Sequence, residues 1–243
     1  MTAPLRIGTA GWSVHSQYLD LVPAGGSHLE RYSRVFNAVE INSSFHRPHR
    51  RATYQRWAGA VPAEFRFAVK LPRTITHDAG LAGCGALLDR FADEVTGLGR
   101  KLGVLLVQLP STSPLQKRVA GGFFRALGAR IKADIVVEPR HDSWFAAEVS
   151  DWLAKRHIAR VAADPARTEG AGRPGGWSRL AYYRWHGSPR MYYSRYDATA
   201  LARLRRRLEQ DRARGVVAWC IFDNTASSAA LGNALELAQS VTR

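Results

Sequence analysis

The fold class predicted is α/β, a single TIM-like (β/α)8 barrel spanning residues 1–243, and three observations lead to it. Short apolar runs recur and finish in polar residues, as in Val136-Val-Glu-Pro-Arg-His-Asp-Ser-Trp144 and Ala218-Trp-Cys-Ile-Phe-Asp-Asn224. Stretches with apolar residues at helical spacing separate these runs. The 243-residue length is near that of one eightfold barrel, and no shift in composition divides the chain. A strand buried on both faces reads as a continuous apolar run, and such barrels carry their reactive groups where the strands end.

In order, Leu5 to Ala10 is the first strand, ending in Gly11-Trp12-Ser13. Gly8 and Gly11 there imply close backbone approach or unusual dihedrals; the turn serves either a ligand or a tight corner packed by Trp12. Leu29, Tyr32, Val35 and Phe36 give the covering helix, and Ala38 to Ser44 the second strand. Glu40 and Asn42, two apart, fall on one face of it. Phe45 to Arg51 is a loop of imidazoles and guanidiniums, including His46, suited to phosphate or simply solvated. Tyr54 and Trp57 mark a short helix, and Glu64 to Leu71 is strand three, interrupted by Lys70, one of five lysines. A lysine in that position neutralises substrate charge, acts as a nucleophilic amine when desolvated, or pairs with Glu40 or Glu138.

Leu87, Leu88, Phe91, Val95 and Leu98 form the next helical stripe, and Leu102 to Leu109 strand four, whose polar interruption is Gln108. A buried amide there contacts substrate or holds a polar network. A helix through Val119, Phe123 and Leu127 precedes the fifth strand, which runs into Glu138, Arg140, His141, Asp142 and Trp144. Val149, Trp152 and Leu153 mark a helix ending near His157, and Ala159 to Ala163 is strand six, followed by Asp164-Pro165. From Ala166 to Ser178 no helical period survives, so the connection from strand six to strand seven is largely loop. Leu180 to Trp185 is strand seven, with Arg184 and His186 on one face; the arginines and tyrosines of Ser188 to Asp197, Tyr193 among them, suit phosphate and ring stacking, partner contact or capping. Leu201, Leu204 and Leu208 give an amphipathic helix whose arginines face solvent. Val216 to Phe222 is strand eight, ending in Asp223-Asn224, and Leu231, Leu235 and Leu237 pack the last helix.

The formal charge of +15 favours polyanionic partners, nucleic acid or phosphorylated metabolites, or reflects an arginine bias spread over the surface. Cys84 and Cys220 form no Cys-x-x-Cys pair and read as small buried hydrophobes. The apolar stretches fall short of the roughly 20 residues of a membrane span. Met1-Thr-Ala-Pro-Leu-Arg leads into a strand without a secretory apolar region, so a cytoplasmic location is expected.

The ordered motifs Gly8-Thr-Ala-Gly-Trp12, Val39-Glu-Ile-Asn-Ser-Ser-Phe45, Phe65-Arg-Phe-Ala-Val-Lys70, Gln108-Leu-Pro110, Val137-Glu-Pro-Arg-His-Asp-Ser-Trp144, Tyr183-Arg-Trp-His-Gly187 and Phe222-Asp-Asn-Thr-Ala226 resemble those of the YecE-like family, a bacterial and archaeal domain-of-unknown-function family. The resemblance covers nearly the whole chain. It implies a TIM-barrel fold, and it brings no settled reaction. The chain departs from the family pattern in its short Ser13 to His28 segment and in His46, where the family commonly has tyrosine.

The first functional expectation is a hydrolase acting on a phosphorylated substrate, nucleic acid or nucleotide. Glu138 is its expected general base and His186 its acid, with Glu40, Lys70, Asp164 and Asp223 completing the catalytic set. Trp12, Asn42, His46, Gln108, Arg140, Trp144, Arg184, Tyr193 and Asn224 are the expected substrate contacts, and carboxylates with an imidazole suit Mg²⁺, Mn²⁺ or Zn²⁺. The alternatives are isomerisation or aldol cleavage of a sugar or sugar phosphate with Lys70 or Glu40 as base, and non-catalytic binding of nucleic acid or a phosphometabolite.

Overall fold

The computed structural model describes residues 3–241. Its elements run β1 (Leu5–Thr9), α1 (His28–Ser33), β2 (Ala38–Ile41), the one-turn α2 (Ser43–His46), α3 (Arg51–Gly59), β3 (Arg66–Lys70), α4 (Gly85–Val95), β4 (Leu102–Gln108), α5 (Lys117–Arg130), β5 (Asp134–Glu138), α6 (Ala147–Ala154), β6 (Ile158–Arg160), β7 (Ala162–Asp164), β8 (Gly175–Gly176), β9 (Leu180–Trp185), α7 (Ala198–Ala213), β10 (Val217–Phe222) and α8 (Ala229–Val241). Two ladders result, one ordered β1-β10-β9-β7 and the other β2-β3-β4-β5-β6-β8. Every pairing is parallel except that of the two-residue β8 with β6. Among the described residues no helix is long and apolar enough to cross a membrane.

The expected sixth strand is divided. Ile158–Arg160 pairs with β5, whereas Ala162–Asp164 pairs with β9, and between them the Val161 amide donates to the Val137 carbonyl at 2.9 Å. One run of chain thus passes from one ladder to the other. A second junction lies at the far edge, where Ala10 bridges Glu40 and the Gly11 amide donates to the Glu40 carbonyl at 2.8 Å. That approach explains the glycine before it: a Cβ on Gly8 would sit 2.1 Å from the Ala38 carbonyl oxygen. Gly11 itself has φ +86°.

The second strand also stops sooner than expected, at Ile41. Asn42 has helical dihedrals, φ −94° and ψ −20°, so Glu40 and Asn42 do not alternate along one strand face. Hydrogen bonds from the Ser44 hydroxyl to the carbonyls of Ile41 and Lys70 hold the turn that replaces the strand. Between β7 and β9 the chain is made of turns and bends around β8. On α4, Leu87 of the expected core stripe stays exposed, while Leu88, Phe91 and Val95 are buried.

The apolar interior has two parts. Side chains pointing outward from the strands meet the helices in a large cluster that includes Phe67, Leu105, Val137, Tyr183 and Cys220. The opposite strand faces pack on one another through Ala38, Ala68, Val104, Leu106, Val136, Ala159, Val161, Tyr182, Trp219 and Ile221. Because side chains alternate with period two, the next residues on that inner face, towards the carboxyl ends, are Glu40, Lys70, Gln108, Glu138, Arg184 and, just past β10, Asp223. A polar layer therefore lies directly on an apolar one.

Candidate active site

Arg184 is the centre of the polar layer. Its guanidinium donates to both carboxylate oxygens of Glu40, at 3.0 and 2.7 Å, to Glu138 at 2.5 Å and to Asp223 at 2.9 Å. Four strands, β2, β5, β9 and β10, send one group each or the residue just beyond it. His186, on the same side of the chain two residues later, places Nδ1 3.0 Å from Asp223 and Nε2 3.1 Å from Glu138. Tyr182, two residues earlier, donates to Glu40 at 2.8 Å. Arg140 lies 3.6 Å from Glu138, and Asn42 reaches Asp223 at 3.4 Å.

These groups are sealed from solvent: Glu40 is 0% exposed, Arg184 and His186 1%, Glu138 2% and Asp223 7%. Burial disfavours each charge, so the ionised forms persist only through their partners. Burial alone would raise the Glu138 carboxyl; the Arg184 guanidinium, His186 and Arg140 outweigh it and hold Glu138 well below the usual carboxylate range. Asp223 is likewise lowered, with Arg184 and His186 overcoming its burial. For His186 the signs reverse: burial would lower it, but Glu138 and Asp223 raise it above the ordinary imidazole value. When both its nitrogens carry protons, the imidazole donates to both carboxylates.

Lys70 differs from its neighbours. It is partly exposed, its Nζ lies 4.0 Å over the Phe45 ring, and its ammonium has no ion pair or hydrogen bond among the described residues. Burial and the nearby Arg184 bring it down to about 8, even though Glu138, Glu40 and Asp223 pull the other way. His77 packs against the other side of this corner, its ring 5.0 Å from that of Phe45. Burial and the charges of Lys70, Arg73 and Arg140 lower its basicity. Lys70, Arg140 and Arg73, the last paired with Asp78 at 3.2 Å, thus form a cationic margin beside the sealed acids, with the His77 ring among them. The space beside Glu138 and His186 is a cavity of about 20 Å³ roofed by Pro165, Thr168, Ala171 and Met191, room for about one water molecule.

Of the expected site residues, Glu40, Lys70, Glu138, Arg140, Arg184, His186, Asp223 and Asn42 come together. The others make their contacts elsewhere. Asp164 accepts from the Tyr196 hydroxyl at 2.8 Å. Gln108, opposite Glu138 in the β4–β5 register, donates to the Leu109 carbonyl at 2.9 Å. Asn224 joins Ser194 and Asn233 in a buried network. Trp144 is buried, its indole donating to the Ser113 carbonyl at 3.1 Å. Trp12 packs edge-on against Trp57, exposed His46 against Phe45, and exposed Tyr193 under Arg190. Tyr182 and His77 are the participants that sequence reasoning did not select. Tyr182 stood two residues before Arg184, so its period-two position was the signal; His77 had none beyond its loop.

Among the described residues no group of three or more His, Cys, Asp and Glu side chains is arranged to hold a metal ion. Of the carboxylates expected to suit Mg²⁺, Mn²⁺ or Zn²⁺, Glu40, Glu138 and Asp223 accept from Arg184, and Asp164 accepts from Tyr196.

Fold and site together define the class: a parallel-stranded α/β protein whose strand ends converge on an arginine clasped by three acids and flanked by a histidine. The chain belongs to the family described as protein of unknown function DUF72, which it matches over residues 6–243. It is 32% identical over 176 residues to the UPF0759 protein YecE of Escherichia coli (strain K12), an alignment covering 70% of this chain. The chain spans 62% of the length of that relative. A DUF72 family protein from Enterococcus faecalis V583 superposes with a TM-score of 0.82 at 19% identity, covering 98% of this chain and 96% of the other. One from Thermotoga maritima MSB8 superposes with a TM-score of 0.80 at 21% identity, covering 99% and 100%.

Proposed function

We propose that the chain is a single-domain enzyme, its strands closed into a TIM-like barrel, that acts on a phosphorylated carbonyl compound of the sugar-phosphate class with Lys70 as its reactive amine. The junctions at Val161 and at Ala10–Glu40 support closure. The observation that carries the chemistry is that Lys70 is the polar-layer group that both reaches solvent and has no ionic partner. Phosphoester hydrolysis, the first expectation from the sequence, asks Glu138 to take a proton. A carboxylate held by Arg184, His186 and Arg140 is too weak a base for that at neutral pH.

The neutral Lys70 amine adds to the substrate carbonyl, forming a C–N bond; the carbonyl oxygen departs as water with the two amine hydrogens, and the imine nitrogen takes one proton from solvent. The cationic imine accepts the electron pair of a C–H or C–C bond at the neighbouring carbon, the C–H proton passing to solvent, and addition of water to the imine releases product and restores the amine. Arg140, Arg73 and His77 receive the phosphate. The buried acids and Arg184 supply the field around Lys70.

Pyridoxal phosphate, an aldehyde bearing a phosphate, is the probe. With cyanoborohydride it should label Lys70 in preference to the four other lysines, and inorganic phosphate should slow the labelling. Labelling spread evenly over the lysines refutes the proposal. Phosphoesterase activity that survives Lys70→Arg and dies in Glu138→Gln would return the assignment to hydrolysis.

A further inference from the structure

At the opposite end of the strands is a groove that the proposed reaction does not use. It is a cavity of about 770 Å³ between α5, α6 and the amino ends of β5 and β6, within the range of small-molecule sites. Its closest approach to the acid cluster along the chain runs up β5 from Ile135 to Glu138, roughly 10 Å at strand rise. One wall is the α5 face carrying Gly121, Phe124, Arg125 and Gly128, positions that recur with helical spacing. The two glycines keep this wall low: at Gly121 a Cβ would meet Trp152 at 3.4 Å, and at Gly128 nothing lies nearer than Ile135 at 4.0 Å. The other wall is Lys155, Arg156 and His157, just past the end of α6.

Two rings and a fixed guanidinium shape this wall. His157 leaves the helix with φ +56° and lays its ring 5.4 Å from that of Trp177, at 37°. Arg156 sits 4.2 Å over the Trp152 ring and donates to the Trp152 carbonyl at 2.9 Å, so its position is set before any ligand arrives. Against Arg125, Lys155 and Arg156 the groove's lining holds one acid, Asp134. Cations around an apolar floor edged by indole and imidazole are what a flat ring bearing phosphate requires.

We propose that this groove binds a nucleoside phosphate, the base against Trp177 and His157 and the phosphate among Lys155, Arg156 and Arg125. Asp134 accepts a hydrogen bond from an amino group of the base. The ligand is either a free nucleotide or one unit of a single strand, and the site is separate from the Lys70 chemistry.

The test is calorimetric titration of the full chain with adenosine monophosphate and, separately, with an eight-residue oligodeoxynucleotide of adenine. Binding of either should weaken at least tenfold in Arg156→Glu and in Trp177→Ala, and should be unchanged in Arg203→Glu, an exposed cation on α7. Gly128→Leu, which fills the groove without touching a charge, should also block binding and guards against misfolding of Trp177→Ala. Binding of the monophosphate identifies a free nucleotide as sufficient, and binding confined to the oligomer identifies a strand. No binding of either, or equal weakening by Arg203→Glu, overturns the proposal. Lys70→Arg should leave the affinity untouched.

Discussion

Replacing Arg184 by methionine, which keeps the length and removes the charge, tests whether the polar layer is one coupled unit. Three carboxylates lie within 3.0 Å of that guanidinium, and all of them are nearly or fully buried. Breaking a single buried ion pair costs about 3–5 kcal/mol, because the orphaned charge has neither water nor partner. His186 retains two of the acids, so the loss at pH 7 should lie near the top of that range rather than at three times it. For a chain of this size, where 1 kcal/mol moves Tm by about 2–4 °C, Tm should fall by roughly 10–20 °C. The pH dependence gives a second reading. Glu138 and Asp223 are held low in the native protein, so their share of stability is present above the ordinary carboxylate range and disappears as pH falls through their folded-state values. The deficit of the variant should therefore be large at pH 7 and shrink towards pH 4, as the abandoned acids take up protons. Urea unfolding at both pH values measures it. A variant within about 2 °C of the parent at pH 7, or a deficit that does not change with pH, would refute the reasoning.

Other outcomes follow from the same geometry. His186 is raised above its ordinary 6.5, so its contribution is complete below that pH and is lost as pH rises through the folded value; His186→Gln should cost about 1–3 kcal/mol at pH 6 and less at pH 9 by chemical denaturation. Gly8→Ala places a methyl 2.1 Å from the Ala38 carbonyl oxygen and 2.9 Å from the Tyr32 hydroxyl, and should destabilise by more than about 2 kcal/mol or abolish soluble expression. Cys84 and Cys220 are 5% and 0% exposed, and burial pushes both thiols up, so a thiol reagent should find them silent in the native protein and both reactive in denaturant. Trp144→Phe should lower stability by about 1 kcal/mol through the lost bond to Ser113 and leave pyridoxal phosphate labelling of Lys70 unchanged.

How much of this was legible in the sequence follows from which interactions are local. Apolar runs ending in charge located the strands, because burial on both faces leaves no other pattern. Their carboxyl ends gathered Glu40, Lys70, Glu138, Arg184 and Asp223 at one expected mouth. What this could not convey was who pairs with whom. Arg184 reads as a phosphate ligand in isolation; only the approach of Glu40, 144 positions away, shows its donors occupied. The strand-end grammar also overreached where charge and aromatics continue past the strand. Trp144 turns back to seal the interior under Ser113, and Asp164 serves Tyr196. The break at Val161 left no mark, since both halves are equally apolar and the change is one of neighbours. The turn at Asn42 was hidden because Ser43 and Ser44 extend a strand pattern on paper while their hydroxyls favour a turn.

The clasp on Arg184 also bears on how the chain reaches this state. Its partners stand 39, 46 and 144 residues away in sequence, so no local fragment can assemble it. A partly folded chain that has brought β2, β5 and β10 together but not yet β9 holds three acids out of water without the Arg184 guanidinium among them. Docking of the last strand relieves that debt all at once, which favours an all-or-none transition and leaves little reward for stopping halfway. Weakening the clasp should then show itself mainly as faster unfolding, with the refolding rate nearly unchanged.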